Sequence, residues 1–271
     1  MPSTVTCRVT DRVAEVRLER PEKRNALTLE TLEGLVQTAR RLGRDRSLRA
    51  VVLTGAGPSF CAGLDFATVL KAPKRLATSF VPRPWRGTNT FQEACWAWRR
   101  LDVPVVAAVQ GHCFGGGLQI ALGADFRITA PDAQWSVLEV KWGLIPDMSG
   151  IQSLSEQVGM DVAKRLTMTG EILSGVAAAE VGLATEVAED PHAAALDLVE
   201  RLKGRSPDSL AAAKRLFNGT WSSGPRRTFS RERFEQARLL VSANTTAARE
   251  AAFRMQDARF GDRGRLGRPG R

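Results

Sequence analysis

The chain is poor in the side chains that bind metal ions and form disulfide bonds. Its 271 residues include only two histidines and four cysteines, and no two cysteines have the Cys-x-x-Cys spacing. Zinc sites draw most of their ligands from these residue types, so no metal site is expected. The cysteines are expected to be small apolar packing residues, because disulfide bonds are rare in the cytosol.

Long apolar runs are also missing from the sequence. No stretch approaches the roughly 20 apolar residues that span a bilayer. The first residues lack the charged-then-apolar pattern of a secretory signal. The sequence therefore predicts a cytoplasmic protein that is not inserted in a membrane.

Acidic residues are outnumbered by basic ones. The chain has 39 lysines and arginines against 29 aspartates and glutamates, a formal net charge of +10. Such an excess favours an anionic partner. Part of it lies in residues 261–271, which are rich in glycine and arginine. This segment is predicted to be a basic flexible tail, in preference to an arm that binds nucleic acid.

The spacing of the apolar residues predicts an α/β fold. Residues 4–18 alternate as two short strands do, and residues 49–54 read as a buried strand. Thr28 is predicted to cap a helix whose apolar residues recur at three- and four-residue steps. Residues 71–89 hold three prolines among basic residues and are predicted to be a mobile loop. Helical patterns dominate from residue 151 onwards.

Two glycine-bearing turns follow short apolar strands. One contains Gly63, and the other contains the run Gly115-Gly116-Gly117 at the start of a predicted helix. Glycine lets the backbone approach a ligand closely, and the first N–H groups of a helix have no partner within it. Two N–H donors converging on one carbonyl oxygen would stabilise an enolate by several kcal/mol. Nucleotide-binding patterns do not match, because neither turn ends in Gly-Lys-Ser/Thr.

Several motifs together carry a family resemblance. They are RPEKRNAL at residues 20–27, FCAGLD at 60–65, PVVAAVQGHCFGGG at 104–117, GADFR at 123–127 and EVKWGLIPDMSG at 139–150. In this order and spacing they resemble the crotonase (enoyl-CoA hydratase/isomerase) superfamily. The resemblance extends over residues 4–260.

The resemblance implies a crotonase (ClpP-like) superhelix of ββα units. It places a core with the acyl-CoA site at residues 1–195 and a helical C-terminal trimerisation region at 196–260, before the tail at 261–271. It also implies an acyl-CoA thioester substrate and a homotrimer or dimer of trimers. Nucleic acid is not an expected partner.

The resemblance also implies the residues of the site. The thioester oxygen would be held in an oxyanion hole by the backbone N–H groups of Leu64 and Gly116. Coenzyme A is part of the substrate, so no separate cofactor is expected. Trp85, Trp96 and Trp98 are predicted to border the acyl chain. The residues carried over to coenzyme A binding are Lys23, Arg24, Ala26, Ala62 and Asp65.

The acid–base residues depart from the pattern of the family's hydratases. Those enzymes use two glutamates, and the corresponding residues here are Gln119 and Glu139. An amide does not exchange protons with water at neutral pH, so Gln119 is predicted only to line the site. Asp147 stands where dienoyl-CoA isomerases of the family have an aspartate. A turn residue that caps the next helix is an equally open interpretation of Asp147.

These residues favour isomerisation of the double bond of an enoyl- or dienoyl-CoA, with Glu139 and Asp147 as the catalytic pair. The alternative is hydration of a 2-enoyl-CoA, with Gln119 and Glu139 positioning the water. A third possibility is a homologue without activity that binds coenzyme A or RNA.

Overall fold

The α/β class predicted from the sequence is confirmed by the computed structural model, which describes residues 3–264. The strands of this region are β1 (Val5–Thr10), β2 (Val13–Leu18), β3 (Ala50–Gly55), β4 (Val105–Val109), β5 (His112–Phe114), β6 (Phe126–Thr129), β7 (Gln134–Ser136), β8 (Leu173–Ser174) and β9 (Glu186–Val187). A large sheet has the order β1-β2-β3-β4-β6-β9, and a small sheet has the order β5-β7-β8. In the large sheet β1 and β2 are antiparallel, and the later neighbours are parallel.

Helices connect and cover these strands. They are α1 (Leu29–Leu42), α2 (Phe66–Val69), α3 (Pro73–Phe80), α4 (Thr90–Arg99), α5 (Gly116–Leu122), α6 (Gly150–Gln157), α7 (Met160–Thr169), α8 (Gly175–Glu180), α9 (Pro191–Lys203), α10 (Pro207–Thr220), α11 (Pro225–Leu240) and α12 (Ala243–Arg254). Two short 3-10 helices span Pro21–Lys23 and Leu138–Trp142. Within residues 3–264, none of the helices is long and apolar enough to cross a membrane.

The centre of the large sheet is covered on both faces. Every residue of β3 and β4 is buried, as the continuous apolar runs of covered parallel strands require. Val51 and Leu53 belong to the larger core cluster, together with the buried face of α1. Val52 points the other way and packs with Ala195 and Val199 of α9.

The N-terminal elements follow the sequence predictions. β1 and β2 form the antiparallel pair expected within residues 4–18. α1 begins directly after Thr28, whose hydroxyl accepts a hydrogen bond from the backbone N–H of Thr31 at 3.2 Å. Leu32 and Leu35 of this helix are buried against the sheet at helical spacing.

The predicted mobile loop at residues 71–89 contains a helix, so that prediction is wrong for Pro73–Phe80. Pro73 occupies the first turn of α3, where the missing proline N–H needs no partner. The end of the segment is tied to the core, because the Arg86 guanidinium donates to the fully buried carboxylate of Glu93 at 2.6 Å.

The boundary predicted between residues 195 and 196 also needs correction. It falls inside α9, whose Ala195 and Val199 are buried against the large sheet. α9 is therefore part of the core. The purely helical region consists of α10, α11 and α12.

The predicted flexible tail does not begin at residue 261. Residues 261–264 pack on the core, and the Arg263 side chain is buried and donates to the carbonyl of Asp45. The Arg46 Nε in turn donates to the carbonyl of Arg263 at 2.8 Å. The rest of the predicted tail, residues 265–271, lies outside the described residues.

A buried lysine anchors α10 on the core. The Lys214 ammonium donates to the carbonyls of Trp98 and Val103 at 3.0 and 2.9 Å. It also donates to Asp125 Oδ2 at 2.6 Å, and that oxygen accepts the backbone N–H of Val105 at 2.7 Å. Burial lowers the pKa of Lys214, and the adjacent carboxylate of Asp125 opposes that effect.

Replacing this lysine is expected to destabilise the protein. Lys214→Met leaves the Asp125 carboxylate and two buried carbonyls without their donor, at a cost of about 3–5 kcal/mol in the free energy of unfolding. Urea denaturation measures this loss. The matched control is Lys164→Met on the exposed surface of α7, which should change stability by about 0.5 kcal/mol or less. Equal losses in the two variants would contradict the anchoring role.

Candidate active site

The two glycine turns predicted from the sequence lie side by side. Cys61 and Cys113 form a parallel bridge, with the Cys61 N–H donating to His112 O at 2.8 Å and the Phe114 N–H to Cys61 O at 3.0 Å. Gly63 has a φ of +94°, and a Cβ there would lie 3.1 Å from Phe114 O and 3.9 Å from the backbone N of Gly116. A side chain at Gly63 would therefore be strained and would push the turns apart.

The backbone pairing leaves two N–H groups available. The carbonyl of Gly63 and the N–H of Asp65 both pair with Leu27, at 2.8 and 2.9 Å, so the N–H of Leu64 between them points away. Gly116 is the first residue of α5, where a helix supplies no acceptor. Within the described part of the chain, neither N–H donates to another group. Leu64 and Gly116 border one cavity, as expected for an oxyanion hole.

Glu139 lies beside these donors on the 3-10 helix Leu138–Trp142. A Cβ on Gly115 would come within 3.2 Å of Glu139 Oε1, so a side chain there would displace the carboxylate by a few tenths of an ångström. Oε1 accepts a hydrogen bond from Gln119 Nε2 at 2.6 Å. Oε2 is buried and has no hydrogen-bond partner among residues 3–264. One oxygen is thus held in place, and the other is left to a substrate.

Both polar atoms of the Gln119 amide form hydrogen bonds within the protein. Its Oε1 accepts the backbone N–H of Gly150 at 2.8 Å, at the start of α6, while its Nε2 donates to Glu139. Gln119 is only 1% exposed and lies behind Glu139, outside the residues that line the cavity. The prediction that it lines the site therefore needs correction, because its contacts position Glu139 and the start of α6 instead.

Asp147 is the second carboxylate on the cavity wall. It stands at the rim with an exposed side chain, on the segment between Glu139 and α6. It does lie in a turn, at residues 147–149, as one interpretation of the sequence expected, but it does not cap the next helix, because α6 begins at Gly150 and Ser149 occupies the cap position. Within the described residues, Glu139 and Asp147 are the only ionisable groups that line the cavity.

Both carboxylates bind protons more tightly than ordinary ones. Burial raises the pKa of Glu139, and the charge of Asp147 raises it further, against the lowering effect of hydrogen bonds from its own backbone and from Gln119. Partial burial likewise raises the pKa of Asp147. Raised carboxyl pKa values suit groups that exchange protons with a substrate near neutral pH.

The residues predicted to bind coenzyme A flank the same turn. Lys23 is exposed at the end of the first 3-10 helix, and the exposed Arg24 begins the connection that follows it. The carbonyl of Arg24 accepts the N–H of Ala62 at 2.9 Å, which ties this connection to the turn of Leu64. Ala62 lines the cavity. Coenzyme A binding by these residues stays a prediction.

Asp65 has structural partners at the same place. Its side chain accepts the N–H of Thr68 at 3.1 Å and caps α2. It also pairs with the Arg20 guanidinium at 3.1 Å, and Arg20 donates to the carbonyl of Ala26. Arg20 was not singled out in the sequence, although it begins the matching motif at residues 20–27. It joins the two segments predicted to hold the coenzyme.

The predicted tryptophans do not border the cavity. Trp98 is fully buried in the core, and its indole N–H donates to the carbonyl of Ala94 at 2.9 Å. Trp96 lies under the guanidinium of Arg99 at 4.5 Å, and Trp85 is 65% exposed. The prediction is therefore wrong for all three. It depended on placing the predicted loop at residues 71–89, and the helix that follows it, at the border of the acyl chain.

Other aromatic residues line the cavity, which has a volume of about 480 Å³. They are Phe66, Phe80, Phe91 and Trp142. Phe66 comes two residues after Leu64, and Trp142 three residues after Glu139, so proximity in the sequence was a usable signal for both. Phe80 belongs to the helix that the sequence analysis missed.

Comparison with known proteins identifies relatives of this site and fold. A family model described as "Enoyl-CoA hydratase/isomerase" matches residues 8–261. An (E)-benzylidenesuccinyl-CoA hydratase of Thauera aromatica is 33% identical over 213 residues, 78% of this chain and 80% of that protein. A short-chain-enoyl-CoA hydratase of Clostridium acetobutylicum is 31% identical over 210 residues, 76% of this chain and 78% of that protein.

Solved structures share the whole fold. The crystal structure of an enoyl-CoA hydratase from Mycobacterium tuberculosis H37Rv superposes with a TM-score of 0.84 at 30% identity. The match covers 96% of this chain and 99% of that one. The overall architecture predicted from the sequence motifs is therefore confirmed.

The raised pKa of Glu139 predicts a pH-dependent effect of its replacement on stability. The folded protein holds a proton on Glu139 that the unfolded chain releases, so the contribution of this residue to stability falls as pH rises through the raised pKa. Glu139→Gln removes this pH-dependent loss of stability, and its amide oxygen can still accept the hydrogen bond from Gln119. Urea denaturation should show the variant gaining stability relative to the parent as pH rises from the ordinary pKa of a glutamate, about 4.3, through the raised pKa of Glu139. A difference that is constant with pH would contradict the raised pKa.

Proposed function

The chain belongs to the enoyl-CoA hydratase/isomerase family, and within it we propose that the protein moves a double bond along the acyl chain of an enoyl- or dienoyl-CoA. The observation that carries this proposal concerns Gln119 and Glu139, which stand where the hydratases of the family have two glutamates. Gln119 holds Glu139 Oε1, Glu139 Oε2 is free, and the second carboxylate on the cavity wall is Asp147. We therefore assign both carboxylates to proton transfer with the substrate, and neither to the activation of a water.

The reaction begins with binding of the thioester. Its carbonyl oxygen lies between the N–H groups of Leu64 and Gly116, and the acyl chain extends into the cavity that they border. The coenzyme runs along Lys23, Arg24 and Ala26 towards the surface. Negative charge that develops on the carbonyl oxygen is stabilised by the two donors, by about 3–4 kcal/mol for each.

Proton transfer then relocates the double bond. Glu139 Oε2 takes a proton from the α carbon of a 3-enoyl-CoA, and the electron pair of that C–H bond moves towards the carbonyl oxygen to form a dienolate. The dienolate collapses with return of a proton to the γ carbon, and the double bond comes to lie between the α and β carbons. Glu139 can return that proton itself. A dienoyl-CoA, with a longer path for the proton, uses Asp147 as the second carboxylate.

We also propose a homotrimer, or a dimer of trimers, assembled through the C-terminal helices. The support is a set of large apolar side chains left exposed by the single chain on α11 and α12. They include Phe229, Phe234, Leu240 and Phe253. Burying such side chains in an interface removes apolar surface from water.

Hydration of a 2-enoyl-CoA is the second candidate. The names of the relatives support it, since both the Thauera and the Clostridium protein are hydratases. The contacts of Gln119 argue against the simplest form of that reaction. Its amide oxygen and nitrogen each bind a protein group, and the buried side chain lies outside the cavity lining, so it is poorly placed to position a water there.

Carboxylate variants separate the two reactions. Glu139→Gln removes the base and should lower kcat/KM for isomerisation of a 3-enoyl-CoA by about 10²–10⁴-fold. Asp147→Asn should lower isomerisation of a dienoyl-CoA to a similar extent but that of a 3-enoyl-CoA by less than about tenfold. Product formation is followed by the absorbance of the conjugated thioester, with Asp132→Asn as the control. Isomerisation that survives in Glu139→Gln would rule out the proposed base.

The charge of Asp147 also predicts a shift in the pH profile. The base acts when ionised, so kcat/KM for a 3-enoyl-CoA rises with pH through the pKa of Glu139. Asp147 raises that pKa, and Asp147→Asn removes its charge. The acid limb of the profile should therefore move to lower pH in this variant. A limb that stays in place would show that the two carboxylates do not interact, and a limb that moves to higher pH would contradict the sign of the interaction.

A further inference from the structure

The cavity is much larger than a short acyl group. Its volume of about 480 Å³ equals that of roughly sixteen water molecules in the liquid. A crotonyl group has four carbon atoms, and part of its thioester sits at the oxyanion hole. A short chain would leave most of the cavity to water, so the walls must be matched to a longer or bulkier group.

The walls of this cavity are rich in aromatic rings. Phe66 and Trp142 face each other with ring centroids 5.0 Å apart, next to the oxyanion hole and Glu139 in the chain. Phe80 and Phe91 form a second pair at 4.8 Å, and Phe91 is only 2% exposed. Ring faces and edges in such pairs offer favourable stacking geometry to a further aromatic ring.

The walls offer no cationic partner to the far end of the acyl group. Among the described residues that line the cavity, Glu139 and Asp147 are the only ionisable ones, and both are assigned to proton transfer in the proposed function. The indole N–H of Trp142 is a further polar group on the wall. A carboxylate at the far end of the acyl group would thus meet two carboxyl groups and no positive charge.

From these three observations we propose that the acyl group is an arylalkenoyl group, whose terminal aromatic ring carries no charged substituent. The thioester oxygen lies between Leu64 and Gly116, the reacting carbons lie beside Glu139, and the ring lies among Phe66, Trp142, Phe80 and Phe91. This substrate class rests on the proposed function, since the reacting carbons are placed by the oxyanion hole and the base.

A set of three thioesters tests the proposal. They are 5-phenylpent-3-enoyl-CoA, its 4-carboxyphenyl analogue and undec-3-enoyl-CoA, which has the same number of acyl carbons as the phenyl compound. The phenyl compound should exceed the linear one in kcat/KM by about two- to tenfold through ring contacts. It should exceed the carboxyphenyl analogue by about five- to a hundredfold, because the carboxylate finds no cationic side chain on the cavity wall. A preference for the linear chain, or equal rates for both aryl compounds, overturns the proposal.

Two tryptophan variants test whether the aromatic wall of the cavity causes the preference for the phenyl substrate. Trp142→Leu removes a ring from the cavity wall and should abolish the preference for the phenyl over the linear substrate. Trp85→Leu is the matched control, because Trp85 is 65% exposed against 58% for Trp142 and lies outside the cavity lining. Phe80→Leu is an independent second variant on the other aromatic pair. A preference unchanged in both Trp142→Leu and Phe80→Leu contradicts the proposed ring position.

Binding of thioesters that cannot react distinguishes a failure of this proposal from a failure of the proposed function. The saturated 5-phenylpentanoyl-CoA and undecanoyl-CoA cannot isomerise, and their Kd values are measured by calorimetry. Tighter binding of the phenyl compound, with no turnover of any 3-enoyl-CoA, supports the substrate class and rejects the isomerase. Turnover of the linear 3-enoyl-CoA, with tighter binding of the linear compound, supports the isomerase and rejects the substrate class.

Discussion

The hydrogen bond from the Gln119 amide to Glu139 determines which atoms of the site can react. Nε2 occupies one oxygen of Glu139 at 2.6 Å, and the other amide atom is bound by the backbone N–H of Gly150. An amide in this buried position can only hold the carboxylate and cannot share its protons. The chemistry is therefore concentrated on Glu139 Oε2, with Asp147 as the second group. The same bridge joins α5 to the start of α6, and so sets the position of the segment that carries Asp147.

The site depends on close packing of backbone around that carboxylate. The bridge between Cys61 and Cys113 brings the two turns together, and glycine at positions 63 and 115 keeps the space between them free of side chains. The sheet supports this arrangement, because β3 and β4 are covered on both faces and cannot shift without disrupting the core. Rigid elements thus hold two N–H donors and one carboxylate oxygen around the position that we propose for the thioester.

Much of this was predictable from local patterns. The paired strands at residues 4–18, the cap at Thr28 and the two glycine turns each have a signal within a few residues. The roles of Gln119 and of the aromatic walls were not predictable in this way. Whether Gln119 faces the substrate or supports Glu139 depends on Gly150, which follows it by 31 residues in the sequence. The prolines at 71–89 are typical of a loop, but Pro73 starts a helix, and Phe80 of that helix reaches the cavity.

The central claim is that this arrangement relocates protons and does not add water. The most direct test is to identify, by mass spectrometry and NMR, the products that the protein forms from a panel of 2-enoyl-, 3-enoyl- and dienoyl-CoA substrates. We expect the 3-enoyl- and dienoyl-CoA compounds to give products of unchanged mass in which the double bond has moved. Rapid formation of a 3-hydroxyacyl-CoA from the 2-enoyl substrates, heavier by one water and without any isomer from the others, would contradict it.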